Sequence, residues 1–129
     1  MRSPGRIYVK EKVIGGVHGD KLILADRKNF TLVGLAGIVV MEARGNYTLI
    51  RFTGNDTVLR SRTLKHYEDL LCAHGFCRVS RSVIVNLAHI RSYTGQELTL
   101  YDDIRAVVSP GRIKMLMEKL YGMATVTGD

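Results

Sequence analysis

The residues best suited to chemistry lie in the segment 75–86. It holds Arg78, Ser80, Arg81 and Ser82, two cations and two hydroxyls within five positions, directly before a β-branched run typical of a buried strand. The apolar run anchors one end of the segment, and the cationic end suits contact with a phosphate backbone better than it suits catalysis. A solvated loop ahead of a core strand is the alternative interpretation.

Residues that support catalysis or metal binding are present but poorly spaced for either role. His66 and His74 are eight positions apart with Cys72 nearby, a spacing that matches no HxxxH or HExxH motif. Asp102 and Asp103 fall in a predicted tight turn, where aspartate is favoured for local hydrogen bonding. No Ser/His/Asp or Cys/His grouping and no glycine-rich phosphate loop has supporting context. We therefore expect no enzymatic activity, no metal site and no cofactor.

Composition and charge favour a folded domain with a polyanionic partner. The chain has 129 residues, of which 46% are hydrophobic, and Lys+Arg 19 against Asp+Glu 12 gives a net charge of +7. Such a surplus favours nucleic acid or an anionic membrane surface. We expect no membrane partner, because no apolar stretch approaches the roughly 18 residues that indicate a span. Cys72 and Cys77 look like reduced thiols, and the start of the chain lacks a signal-peptide core, so a cytoplasmic location is expected.

The pattern of apolar runs predicts a mainly β domain of small antiparallel sheets. The predicted strands are residues 22–24, 30–33, 38–41, 47–52, 57–60, 83–86, 88–93, 97–101 and 104–108. Residues 42–46 are predicted to form a polar loop. Thr63 is a plausible N-cap for a helix over residues 64–74, predicted to be an appendage. A second helix is predicted to begin at Ser109-Pro110.

Three stretches indicate a family as well as a fold class. They are Ile-Val-Val-Met-Glu-Ala-Arg-Gly-Asn-Tyr-Thr at 38–48, Arg-Thr-Leu-Lys at 62–65 and Arg-Val-Ser-Arg-Ser-Val-Ile-Val-Asn at 78–86. In that order and spacing they resemble the LytTR family, the DNA-binding domain of LytR- and AgrA-type bacterial response regulators. The resemblance covers about residues 21–121. Residues 1–20 are then an N-terminal arm or linker, and residues 122–129 a polar C-terminal tail.

The resemblance implies an elongated domain of about ten short strands that reads DNA with loops. Two loops enter successive major grooves, and one loop lies over the minor groove between them. The first major-groove loop corresponds to Arg44, Gly45, Asn46, Tyr47 and Thr48. The minor-groove loop corresponds to Arg78, Ser80, Arg81 and Ser82. The other major-groove loop corresponds to residues 109–114, with Ser109, Arg112 and Lys114 as contacts.

Individual roles follow from side-chain chemistry. Asn46 has the geometry to bond adenine, although asparagine is also common in turns. Tyr47 is left open between a DNA contact and inward packing. Arg81 is expected in the minor groove, where an arginine gains from the negative potential of A·T-rich sequences. Contacts to phosphates, which position the protein without reading sequence, are expected from Ser80, Ser82 and Lys65.

The loop at 109–114 departs from the family pattern because Pro110-Gly111 precedes Arg112. Arg112 is the candidate for a guanine contact, with Ser109 and Lys114 on the backbone. A shift of one residue would place Gly111 at the base-reading position and leave Arg112 steadying the backbone. Asn86 is expected to serve the fold by bridging backbone groups near the end of its strand.

The leading interpretation is a sequence-specific double-stranded DNA-binding transcriptional regulator of a bacterial two-component system. As in the family, two copies are expected on direct-repeat promoter sites, with a receiver domain or partner outside this chain. The competing interpretation is a basic module that binds RNA or a protein without sequence-specific DNA readout. An RNA platform needs exposed stacking aromatics, and most Tyr and Phe residues here lie in apolar strand patterns.

Overall fold

A computed structural model describes residues 15–26 and 28–123. It divides the chain into two compact units, the first reaching Leu35 and the second beginning at Ala36. Most of the arm predicted for residues 1–20, and of the tail predicted for 122–129, lies outside the described residues. No helix within the described part of the chain has the length and apolar character needed to cross a membrane.

The first unit contains one antiparallel sheet of three strands. Its strands are β1 (Gly16–His18), β2 (Lys21–Asp26) and β3 (Asn29–Gly34), with β2 in the centre. The strand–turn–strand pattern predicted from residue 22 onward is therefore present, with both strands longer than expected. β1 falls inside the stretch predicted as an arm. Leu22 and Leu24 alternate on β2 and are both buried.

The second unit contains two further antiparallel sheets and two helices. The larger sheet has the order β6-β5-β4-β8-β7 and consists of β4 (Ile38–Arg44), β5 (Tyr47–Phe52), β6 (Thr57–Arg60), β7 (Phe76–Ser80) and β8 (Val83–Asn86). The smaller sheet consists of β9 (Ile90–Thr94), β10 (Glu97–Leu100) and β11 (Arg105–Val107), with β10 in the centre. The helices are α1 (Leu64–Leu71) and α2 (Ile113–Met123). With eleven described strands, the mainly β prediction is confirmed.

The five-stranded sheet is covered on both faces. On one face Val40 of β4 and Val85 of β8 join a core cluster with Leu98 and Leu100 of β10 and Leu116 of α2. On the other face α1 packs against β4, β7 and β8. The apolar side chains Leu64, Tyr67 and Leu71 of α1 are buried in this contact. The prediction that this helix is an appendage was therefore wrong, and α1 is a layer of the fold.

The helix boundaries follow from local capping. The Thr63 hydroxyl accepts a hydrogen bond from the His66 amide, which confirms the predicted N-cap of α1. The helix ends at Leu71, three residues before the predicted end, because the chain then turns through residues 72–75. Gly75 closes that turn at φ +85°, a conformation that costs a glycine nothing. α2 begins after a 3₁₀ turn at Pro110–Arg112.

The loop predicted over residues 42–46 is shorter than expected. Residues 42–44 belong to β4, and Arg44 pairs with Tyr47 across a two-residue turn. Gly45 at the first turn position has φ +60°, as a type II′ hairpin turn requires. Asn86 confirms its predicted structural role: its Nδ2 donates to the Ile38 carbonyl at 2.8 Å, and its Oδ1 accepts from the Ala88 amide at 3.0 Å.

Candidate nucleic-acid interface

Two hairpin turns emerge at the same end of the five-stranded sheet. β4 runs antiparallel to both β5 and β8, with Arg44 opposite Tyr47 and Glu42 opposite Val83. The β4–β5 turn at residues 45–46 (loop one) and the β7–β8 turn at residues 81–82 (loop two) are therefore neighbours. The Ala43 amide donates to the Ser82 carbonyl at 2.8 Å, which ties the two loops together.

The third predicted loop reaches the same end by a different route. The Ser109 amide donates to the Val79 carbonyl at 2.8 Å, which attaches residues 109–112 (loop three) to β7 just before loop two. We call this end of the sheet, with loops one, two and three, the loop end. Since neighbouring strands lie about 4.8 Å apart, the centres of loops one and two are about 10 Å apart, with loop three beyond them.

Loop one presents its polar side chains outward. Asn46 is exposed, and the Tyr47 side chain is 48% exposed, so Tyr47 does not pack inward. Thr48, in contrast, is fully buried, and its hydroxyl donates to the Arg62 carbonyl at 2.8 Å. The DNA contact expected of Thr48 stays a prediction, and in this structure its side chain is turned into the protein. Because strand side chains alternate between faces, Thr48 follows Ile50 inward and Tyr47 faces solvent.

Arg44 lies beside loop one and shares an acidic neighbour with Arg51. The Glu42 carboxylate lies 3.4 Å from Arg44 Nη2 and also bonds Arg51 Nε. The Arg44 side chain is half exposed. An ion pair this exposed contributes little to stability, so the Arg44 guanidinium can leave Glu42 for a phosphate at small cost.

Arg78 holds the backbone of loop two in place through hydrogen bonds. Its guanidinium donates to the Ser80 carbonyl at 3.1 Å, to the Arg81 carbonyl and to Glu68 Oε1 of α1 at 2.9 Å. The side chains of Arg78 and Glu68 are only 17% and 22% exposed. The DNA contact expected of Arg78 stays a prediction, and in this structure all three guanidinium nitrogens bond inside the protein. Arg78 is a positioning residue for the loop backbone.

With Arg78 turned inward, Arg81 carries the free charge of loop two. Arg81 is exposed and forms no ion pair with another described residue. The two serines face each other, with their hydroxyl oxygens 3.4 Å apart, and the Ser82 amide donates to the Ser80 hydroxyl at 3.2 Å. Loop two thus presents one cation flanked by hydroxyl groups on a braced backbone.

Loop three is tied to loop two through Arg112. Arg112 is half buried, and its Nη1 lies 3.5 Å from the Arg78 carbonyl, at the limit of a hydrogen bond. Ser109 is partly buried and precedes the 3₁₀ turn. Lys114, in the first turn of α2, is exposed. This position of Arg112 agrees with the register in which it steadies the backbone, and Gly111 is the exposed tip of the loop.

Further cations reach the loop end from β6 and α1. Lys65 is exposed, and its bond to Asp69 at 2.8 Å raises the pKa of Lys65. Arg60 pairs with Thr48 on β5, and Arg62 follows it, so both lie at the loop end. Sequence reasoning missed these two arginines. Arg62 lies at the loop end because β6 pairs with β5 in this register. The turn signal at Gly54-Asn55 is the sequence feature from which that pairing could have been inferred.

The cysteines and histidines do not form a reactive site within the described residues. Cys77 is buried, and that burial raises the pKa of its thiol, which keeps it protonated and inert. No group of three or more His, Cys, Asp or Glu side chains in residues 15–26 and 28–123 is arranged to hold a metal ion.

Two comparisons with known proteins both match this chain to LytTr DNA-binding domains. A family model described as the LytTr DNA-binding domain matches residues 28–121, well over half of the chain. A solved structure with a similar fold is the LytTr DNA-binding domain of a Bacillus cereus protein named as a methyl-accepting/DNA response regulator. It superposes with a TM-score of 0.65 at 24% identity, covering 80% of this chain and 98% of that one. No curated protein matches the chain significantly.

Proposed function

Since the chain belongs to the LytTR family of DNA-binding domains, we propose that it is a transcriptional regulator that reads a specific duplex sequence with its three loops. Loops one and three enter successive major grooves, and loop two crosses the minor groove between them. We assign this activity to residues 21–121, with residues 1–20 as an arm or linker and 122–129 as a tail. The protein acts by binding and has no catalytic activity.

One observation carries this proposal: loops one and two leave the same end of the five-stranded sheet, and loop three is attached there by the backbone hydrogen bond from Ser109 to Val79 of β7. A flat end of this kind presents several contacts to a single duplex at once. Strand pairing sets the spacing of loops one and two, and the bond between Ser109 and Val79 holds loop three beside them. A rigid row of loops is what pre-organised readout of consecutive grooves requires.

We divide the contacts by chemistry. Asn46 is the base reader of loop one, because its exposed amide can bond adenine through both its donor and its acceptor. Arg81 enters the minor groove from loop two. Phosphates are bound by the following exposed or partly exposed groups: Arg44, Tyr47, Lys65, Ser80, Ser82, Ser109 and Lys114. Arg112 fixes loop three against loop two, and the exposed tip at Gly111 approaches the base edges.

The wider setting of this activity follows the family. The protein works in the bacterial cytoplasm as the output part of a two-component response regulator. Two copies occupy a direct-repeat promoter site, and a receiver domain or a partner outside this chain supplies the signal. An RNA- or protein-binding module remains the competing function.

Selection of sites from a random duplex library on the purified protein tests the proposal. We expect recovery of one short conserved motif, repeated at a spacing close to one helical turn of about 10 base pairs. Gel shifts with the selected duplex should then resist single-stranded DNA and RNA competitors. Recovery of no motif, together with better competition by single-stranded RNA, would favour the RNA-binding alternative.

The dependence of affinity on salt gives a second, independent test. If about five phosphates are neutralised, log K should fall with log salt at a slope of about −4 to −5. A slope near zero would contradict groove docking, because binding to duplex DNA necessarily releases counterions from the phosphates it neutralises.

A further inference from the structure

The edge of the loop end next to loop one carries two arginines that none of the three loops contains. Arg60 ends β6 opposite Thr48, and Arg62 follows two residues later. The bond from the buried Thr48 hydroxyl to the Arg62 carbonyl, 2.8 Å long, holds this segment against β5. The position of Arg62 is therefore set as firmly as that of a strand residue.

Neither arginine has an acidic partner among the described residues, whereas three other cations at this end do. Arg44, Lys65 and Arg78 are each paired with a carboxylate. Arg62 is exposed. Arg60 is half buried, and its Nε is the only buried side-chain nitrogen or oxygen in the described residues that lacks a hydrogen-bond partner. A buried donor without an acceptor is costly, so the Arg60 guanidinium is not stabilised by a partner inside the protein.

Both arginines lie beside the first turns of α1, next to Lys65. The positive charges of Arg60 and Arg62 both act on Tyr67, whose pKa is raised chiefly by burial. Arg62 also acts on His66, whose pKa is lowered first by burial and second by that charge. Arg60 and Arg62 thus lie near the start of α1, where Lys65 follows Arg62 by three residues and the helix dipole adds positive potential.

We propose that Arg60, Arg62 and Lys65 form a phosphate-binding platform that grips the DNA backbone beside the groove entered by loop one. This inference rests on the proposed function and extends it. The platform lies one strand outside loop one, about 5 Å from β5, on the side away from loop two. At that position the next group of a duplex beyond the loop-one groove is a sugar–phosphate strand. The platform fixes orientation and adds no base preference.

The test compares Arg62→Gln with Arg91→Gln, which removes the same charge from the opposite side of the unit. Arg91 is exposed on β9 and stacks over the Tyr101 ring at 5.3 Å, away from the loops. Fluorescence anisotropy with a duplex selected by the wild-type protein, over a roughly fourfold range of salt, gives the slope of log K against log salt. Arg62→Gln should make that slope less steep by about 0.9, so that its affinity falls about 3.5-fold less than wild type over that range.

The double variant Arg60→Gln/Arg62→Gln should change the slope by about 1.8, and the selected sequence should stay the same in every variant. Arg91→Gln should leave the slope unchanged. A slope for Arg62→Gln equal to that of wild type would overturn the platform while leaving the proposed function intact. If wild-type protein itself shows no salt-dependent duplex binding, the proposed function fails first. Thermal unfolding of each variant identifies any loss that is due to misfolding.

Discussion

The loop end and the opposite end of the second unit both consist of tight turns, but different residue types form those turns. The opposite end, which we call the distal end, consists of the turns at Thr53–Asn55 and Tyr101–Asp103, which contact each other. Left-handed backbone at the distal end is supplied by Gly54, Asn55, Asp102 and Asp103, with φ between 58° and 84°. At the loop end it is supplied by Gly45 at φ +60°.

The choice of turn residue has an electrostatic consequence. Asparagine and aspartate tolerate left-handed backbone because their short side chains bond locally, so the distal turns expose Asp102 and Asp103 to solvent. Glycine achieves the same conformation without adding a charge, so the cations around loop one face no carboxylate from their own turn. The distal turns therefore carry two exposed carboxylates that the β4–β5 turn lacks, a difference that favours the approach of a polyanion to the loop end.

The largest effect is expected from breaking the part-buried ion pair that braces loop two, compared with breaking an exposed pair on the smaller sheet. Arg78→Ala leaves Glu68 without its partner and removes the braces of loop two, which should lower the free energy of unfolding by about 2–3 kcal/mol. Arg105→Ala removes an exposed pair with Glu97, 3.2 Å long, and should cost no more than about 0.5 kcal/mol. Urea denaturation followed by circular dichroism measures both values. Equal losses would show that Arg78 does not brace the loop.

A matched pair of asparagines separates base readout from turn formation. Asn46→Ala should remove about 1–3 kcal/mol of discrimination at one base pair, because the bidentate amide is lost. Asn55→Ala at the distal end should leave the base preference unchanged. It should lower stability by about 1–2 kcal/mol, because alanine is strained at φ +69°. Affinities for a set of single-base site variants, with unfolding curves, measure both effects, and unaltered preference in Asn46→Ala would remove Asn46 from the readout.

Two threonines on the large sheet probe how firmly the platform segment is held. Thr48→Val keeps the side-chain shape but leaves the Arg62 carbonyl without its donor, which should cost about 1–2 kcal/mol of stability. Thr57→Val changes an exposed residue at the distal start of β6 and should stay within about 0.5 kcal/mol of wild type. Thermal melts of the two variants side by side give the comparison, and a Thr48→Val melt like that of Thr57→Val would mean that the bond contributes nothing.

The smallest effect concerns the pKa of His66. Burial and then the charge of Arg62 lower this pKa below 6.5, so the unfolded chain takes up the proton first and His66 reduces stability as the pH falls. Arg62→Gln should raise the pKa while leaving it below its ordinary value, because burial persists. NMR titration of the imidazole signals measures the shift, with Arg91→Gln as the control. A His66 pKa that is unchanged in Arg62→Gln would show that the Arg62 charge does not act on the imidazole.

Much of the fold follows from local patterns in the sequence. β-branched runs between turn signals give the strands, and Thr63 gives the start of α1. Alternation along β5 already places Thr48 on the inner face with Ile50, and the burial of both side chains confirms this local signal. The side-chain period of a strand thus predicts which of its residues are exposed.

The candidate site could be predicted only in part, because its geometry depends on long-range pairing. Arg78 turns inward because α1 brings Glu68 across β7, a contact between residues ten apart that strand and helix signals do not specify. Arg60 and Arg62 join the loop end because β6 pairs with β5 at the edge of the sheet. Strand order depends on the whole chain. The sequence therefore shows which residues are cationic, but local patterns do not predict which of them lie close together.

NMR mapping of amide shifts on adding the selected duplex tests the central claim most directly, namely that the loop end is the DNA-binding surface. The account predicts that the largest changes fall together at residues 44–47, 60–65, 80–82 and 109–114. The distal turns at Thr53–Asn55 and Tyr101–Asp103 should stay unchanged. Changes centred on the distal turns, or confined to one of the three loops, would contradict it.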